Sequence, residues 1–76
     1  FPNPTQNGVY FEIKENLSAD IILDIYTIDG KHLRQDLMEP TAGLKFIDLS
    51  NFESGLLLFK FKGYSKSWTE RVLLRK

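Results

Sequence analysis

The stretch ADIILDIYTIDGKHLRQDL, residues 19–37, sets an alternating apolar run against a turn signal and a second, shorter run. Ile21, Leu23 and Ile25 fall on one face of an extended chain, and Asp24 and Tyr26 on the other. Such period-two alternation describes a half-buried strand of an antiparallel sheet. Asp29-Gly30 closes it. In a two-residue type I′ turn both central residues take positive φ, which Asp-Gly tolerates. Ala19 to Ile28 is therefore expected to form one arm of a hairpin, with Lys31 to Leu37 folding straight back as the other.

The same period extends outward in both directions. Val9 to Ile13 reads as a strand introduced by Asn7-Gly8, and Glu39-Pro40-Thr41-Ala42-Gly43 as a loop leading to a strand over Leu44 to Leu49. Phe52, between two turn-like clusters, is expected to plug the core. After Ser54-Gly55, the run LLLFKFK (56–62) places Leu57, Phe59 and Phe61 inward; Leu56, Leu58, Lys60 and Lys62 lie on the opposite face. Gly63 to Ser67 turns the chain into a last strand over Trp68 to Arg75, with Trp68, Val72 and Leu74 on one side. Short strands about ten residues apart, without a helical stripe, predict an all-β fold. We expect a small immunoglobulin-like antiparallel β-sandwich of about six or seven strands, with a small closed barrel as the alternative.

Composition narrows the function. The chain has 76 residues, 42% of them hydrophobic and 26% charged, which suits one small globular domain over 1–76. Zero cysteines exclude disulfides and thiolate metal sites. Ten basic and ten acidic residues cancel to a net charge of zero. That balance lacks the long-range field that gathers nucleic acid, so no nucleic-acid partner is expected. No apolar run approaches the roughly 20 residues of a membrane-spanning helix, and no transmembrane segment is expected. Residues 1–8, rich in proline and asparagine and lacking an initiator methionine, read as a lead-in from an upstream segment of a longer precursor.

Candidate chemistry is sparse, and the chain is not expected to be an enzyme or to bind a cofactor. His32, the one histidine, follows the turn and reads as a solvated hairpin residue; a small hydrolase would need it beside a carboxylate in a pocket. Asp20, Asp24, Asp29 and Asp48 lack the loop spacing of a calcium site, and Asn16-Leu17-Ser18 matches a glycosylation sequon but reads as a turn. Tyr10, Phe11, Tyr26, Tyr64 and Trp68 would suit sugar stacking only if several shared one exposed face. A carbohydrate- or protein-binding accessory module of a secreted enzyme is thus the alternative function. The outward Leu56 and Leu58, with the unbroken Val72-Leu73-Leu74, form an apolar patch. At a sheet edge it would invite strand addition by a partner; beneath a loop it would be core.

Read together, these pieces resemble a known family. Phe1-Pro2-Asn3-Pro4 with Gly8, Ile25 to Lys31 with its aromatic Tyr26 and turn Gly30-Lys31, Ile47-Asp48-Leu49-Ser50 with Phe52 and Gly55, and Arg71 to the terminal Lys76 follow one another. In this order and spacing they resemble the type A C-terminal sorting domains of the type IX secretion system. Leu57 stands where that family usually has Tyr or Phe, and Arg75 where it usually has a small or polar residue.

The resemblance implies a secretion signal that directs an upstream cargo from the periplasm through the outer-membrane translocon to the cell surface or outside. The partners it implies are the type IX translocon, a shuttle protein and a surface sortase that removes the domain. On this reading Pro2, Asn3, Pro4, Gly8, Gly30, Lys31, Gly55, Val72, Leu74 and Lys76 are the family recognition residues. Leu56 and Leu58 are the candidate exposed apolar face. An exposed terminal strand would also permit a homodimer by strand exchange.

Overall fold

Leu23 and Ile25 are entirely buried, while Ile22, Asp24 and Tyr26 beside them are only partly covered, as the alternation requires. The structure, a computed structural model, describes residues 7–63 and 65–76. Phe1, Pro2, Asn3, Pro4 and Tyr64 lie outside the described residues. Among the described residues six strands follow one another: β1 (Gly8–Ile13), β2 (Ile21–Thr27), β3 (His32–Met38), β4 (Gly43–Asp48), β5 (Gly55–Lys62) and β6 (Ser67–Leu74). Gly8 is already part of β1.

The strands form two antiparallel sheets, β1-β4 and β3-β2-β5-β6, packed face to face as a sandwich. Taken as β4-β1 and β2-β3, the first four strands keep the order of a Greek key, here divided between the sheets. Val9, Ile13 and Ile47 of the small sheet face Leu23, Ile25, Leu57, Phe59, Phe61, Val72 and Leu74 of the large one. Phe11 bridges the layers, its ring 5.7 Å from that of Phe59 and 4.8 Å from that of Phe61. Phe59 is wholly buried at the centre. Truncating it to alanine would cost about 3–5 kcal/mol, comparable with the whole stability of a small domain. Phe52 packs against this core as expected, half-buried.

The first hairpin differs from expectation in its turn. Gly30 has φ 96°, but among the described residues none other than glycine has positive φ, so Asp29 does not take the type I′ conformation. Gly30 N–H donates to the Thr27 carbonyl at 3.0 Å, and Thr27 N–H to the Lys31 carbonyl at 2.9 Å. These bonds define a three-residue loop, Ile28-Asp29-Gly30, of the kind that closes on a left-handed glycine. The cause lies in Thr27, whose hydroxyl donates to Asp29 and accepts from the Lys31 N–H. One register irregularity follows: a bulge opposite Ile25 places Tyr26 against His32 instead of Leu33. The extra residue returns His32 to the outer face.

Gly8 has a different reason to be glycine. A Cβ there would lie 2.5 Å from Cζ of Phe46 and would also meet the Ile47 carbonyl oxygen. The Phe46 ring lies over the bare backbone and leans on Tyr10, with centroids 5.0 Å apart.

Candidate functional site

Strand directions bring the separated motif pieces to one end of the sandwich. Gly55 pairs with Leu74, Gly8 with Asp48, and Leu57 with Thr27 at the foot of the Gly30 turn. The 49–54 connection spans that end and is tied at several points. Asp48 Oδ1 accepts from Ser50 N–H at 2.9 Å, an Asx-type turn. Phe52 N–H donates to the Leu49 carbonyl at 3.0 Å, and Leu49, fully buried, donates its own N–H to the Asn7 carbonyl at 2.7 Å. The Arg34 guanidinium lies 4.9 Å above the Phe52 ring. This contact joins the loop to β3.

Lys76 completes the end. Its ammonium donates to the Ser50 carbonyl at 2.5 Å, and its N–H to Ser54 Oγ at 3.0 Å. The Asp48 carboxyl is held below its ordinary 3.8, first by the Ser50 N–H bond, then by the Ser50 hydroxyl, with the charges of Arg34 and Lys76 adding to it. Gly8, Gly30, Lys31, Gly55, Leu74 and Lys76 therefore belong to one region. Pro2, Asn3 and Pro4 lie outside the described residues.

Two sequence expectations change here. Val72 and Leu74 were placed among residues a partner reads, yet they are 3% and 1% exposed and belong to the core. In the folded domain they hold β6 in place. Leu56 and Leu58 lie on the outer face of β5 but only half exposed, and β5 is an inner strand between β2 and β6. Of β5 and β6 it is β6 that lies at a sheet edge, and its Arg71 and Leu73 each already engage a partner. Of the two arrangements left open for this stretch, an edge patch or cover by a loop, the fold gives neither outright: Leu56 and Leu58 sit on an inner strand.

His32 does meet a carboxylate: its Nε2 is 2.9 Å from Asp24 Oδ1, which also accepts from Gln35 Nε2 at 3.0 Å. The His32 bond is the leading cause that lowers the Asp24 carboxyl below its ordinary value. The cluster lies on an open sheet face, with Tyr26 edge-on to the imidazole at 5.0 Å. It lies outside the groove of about 490 Å³ at the opposite end, between Leu17 and Trp68. Asp20, Asp29 and Asp48 are dispersed, and among the described residues no group of three or more His, Asp or Glu is placed to hold a metal.

The aromatics are dispersed too. Tyr10 is on the outer face of the small sheet and Tyr26 on that of the large one, while Phe11 is inside. Trp68 stacks on Phe61 at 5.0 Å along the sandwich flank. Among the described residues these four aromatics share no one exposed face; Tyr64 lies outside them. Sequence reasoning named Asp48, Ser50 and Lys76 but missed their contact, because nothing local signals a bond across 26 residues.

A family model for the secretion system C-terminal sorting domain matches residues 1–75. No curated protein and no solved structure matches the chain. Among the described residues no helix is long and apolar enough to cross a membrane. The chain thus belongs to the family of type IX secretion C-terminal sorting domains, a signal family and not an enzyme family, which works with the secretion machinery and leads to the cell surface or beyond.

Proposed function

We propose that this domain, held at 1–76 as one unit, takes a cargo joined to its N-terminal side from the periplasm to the type IX translocon. A shuttle protein and a surface sortase follow, the sortase cutting the domain away from its cargo. The observation that carries the reading is the convergence of Gly8, the Gly30 turn, the 48–55 connection and Lys76 at one end. A linear peptide would scatter these residues; only the folded domain offers them together. Leu56 and Leu58 extend the recognised surface along the outer face of β5.

The test is a fusion of residues 1–76 to the C-terminus of a folded periplasmic reporter, in a strain with type IX secretion. Surface arrival of the reporter, with the domain missing from the mature product, is the expected result. Periplasmic retention of the intact fusion overturns the reading. Arrival with the domain still attached in a sortase-positive strain overturns the cleavage step alone.

A further inference from the structure

The outer face of the large sheet separates charge in a way that the neutral whole does not. Along β5 its side chains run Leu56, Leu58, Lys60, Lys62, apolar at the motif end and basic at the other. Across β2 the one acid on this face is Asp24, already engaged by His32 and Gln35. Across β6, Lys60 and Lys62 meet uncharged Thr69 and Ser67, and Arg71 adds a third cation. Neither lysine forms an ion pair among the described residues; the Lys60 ammonium rests 4.9 Å over the Tyr26 ring. Lys62 thus has no acid opposite it in register, and Lys60 faces an Asp24 carboxylate that His32 and Gln35 already occupy.

We infer that this face is a docking surface for an acidic protein surface of the secretion machinery, with Lys60 and Lys62 reading its carboxylates. The inference rests on the sorting function proposed above. Alternate residues of a strand are about 7 Å apart, so the complementary surface carries carboxylates about that distance from an aliphatic patch that covers Leu56 and Leu58. Four strands present roughly 350 Å², well under the ~800 Å² per partner of a stable complex. That size suits a cargo handed onward. An anionic membrane is the poorer occupant, since two lysines contribute only about 1 kcal/mol each near such a surface and the chain has no net charge to add.

The experiment uses the reporter fusion in four forms: unchanged, Lys62→Glu, Lys62→Arg, and Lys60→Gln combined with Lys62→Glu. Like charge against the partner is expected to cut surface arrival by about tenfold or more, with Lys62→Arg exported as the parent. Lys14→Glu makes the same change in net charge at an exposed position on the far loop and is expected to leave export intact. If the parent fusion stays in the periplasm, the sorting function itself fails. If the parent and Lys62→Glu are exported equally, or Lys14→Glu is lost equally, the docking surface alone is overturned. Lys62→Glu faces only Ile22 and Ser67 in register, so it remains decisive should the double variant melt early. Flotation of the purified domain on vesicles of equal phosphatidylcholine and phosphatidylglycerol, abolished by Lys62→Glu, would replace the protein partner with a membrane.

Discussion

The ammonium of Lys76 donates to the carbonyl oxygen of Ser50 at 2.5 Å, so the last residue of the chain fastens the loop that joins the two sheets. The bond is charge-assisted but solvent-exposed, which limits its net worth to about 1 kcal/mol or less. Its value is positional. Lys76→Ala is expected to lower the melting temperature by a few degrees at most and to reduce export of a fused reporter well beyond that loss. Lys76→Arg, which can still donate, should recover part of the export. A drop in export that merely follows melting temperature across both variants would show that Lys76 acts through stability alone.

Gly8→Ala tests the contact beneath Phe46. The added methyl would collide with the ring and with the Ile47 carbonyl oxygen. Overpacking of this kind costs about 1–3 kcal/mol. Urea unfolding followed by the fluorescence of Trp68, the one tryptophan, measures it. Phe46→Leu in the same chain should return only part of the loss, because the backbone oxygen stays where it is. Full recovery would mean that the ring alone dictates glycine.

Gly30→Val addresses the first hairpin. A β-branched residue resists the φ of 96° held there, and about 1–2 kcal/mol of stability should be lost. Gly30→Asn, tolerant of left-handed backbone, should lose less. Nothing within 4 Å awaits a Cβ at this position, so the difference reports backbone strain and not crowding. Equal midpoints for the Val variant and the parent in urea would contradict this account.

The hairpin also marks the limit of what the sequence discloses. The alternation of Ile21, Leu23 and Ile25 located β2 and its buried face, and LLLFKFK did the same for β5, because burial is written directly into period two. The turn type escaped, since Asp29-Gly30 signals a type I′ turn only until the Thr27 hydroxyl is counted. Strand order escaped as well: Leu56-Leu58 looks the same on an edge strand and an inner one, and only the pairing of β2 with β5 decides. At the candidate site the residue types were legible in the I-D-L-S stretch and the final lysine. Their contact was not, because it depends on where two strands distant in sequence both end.

Acid should reveal the Asp48 turn beside that contact. Asp48 is held below 3.8 in the folded chain by the Ser50 N–H and hydroxyl, and Asp24 by His32 first and then Gln35. A carboxyl with a depressed folded pKa adds stability that is fully present above its unfolded pKa. As pH falls through the folded value, that contribution disappears. The melting temperature should therefore be flat from neutral pH down to about 5 and decline below about 4. Asp48→Asn keeps an oxygen for the Ser50 N–H but cannot titrate, so it should start somewhat less stable than the parent at neutral pH and decline less as the pH falls. Asp24→Asn should flatten the curve separately, since the two carboxylates share no partner, and the double variant should show the sum of both effects. Parallel acid curves for the parent and Asp48→Asn would show that the Ser50 turn does not bind the carboxylate more tightly when folded.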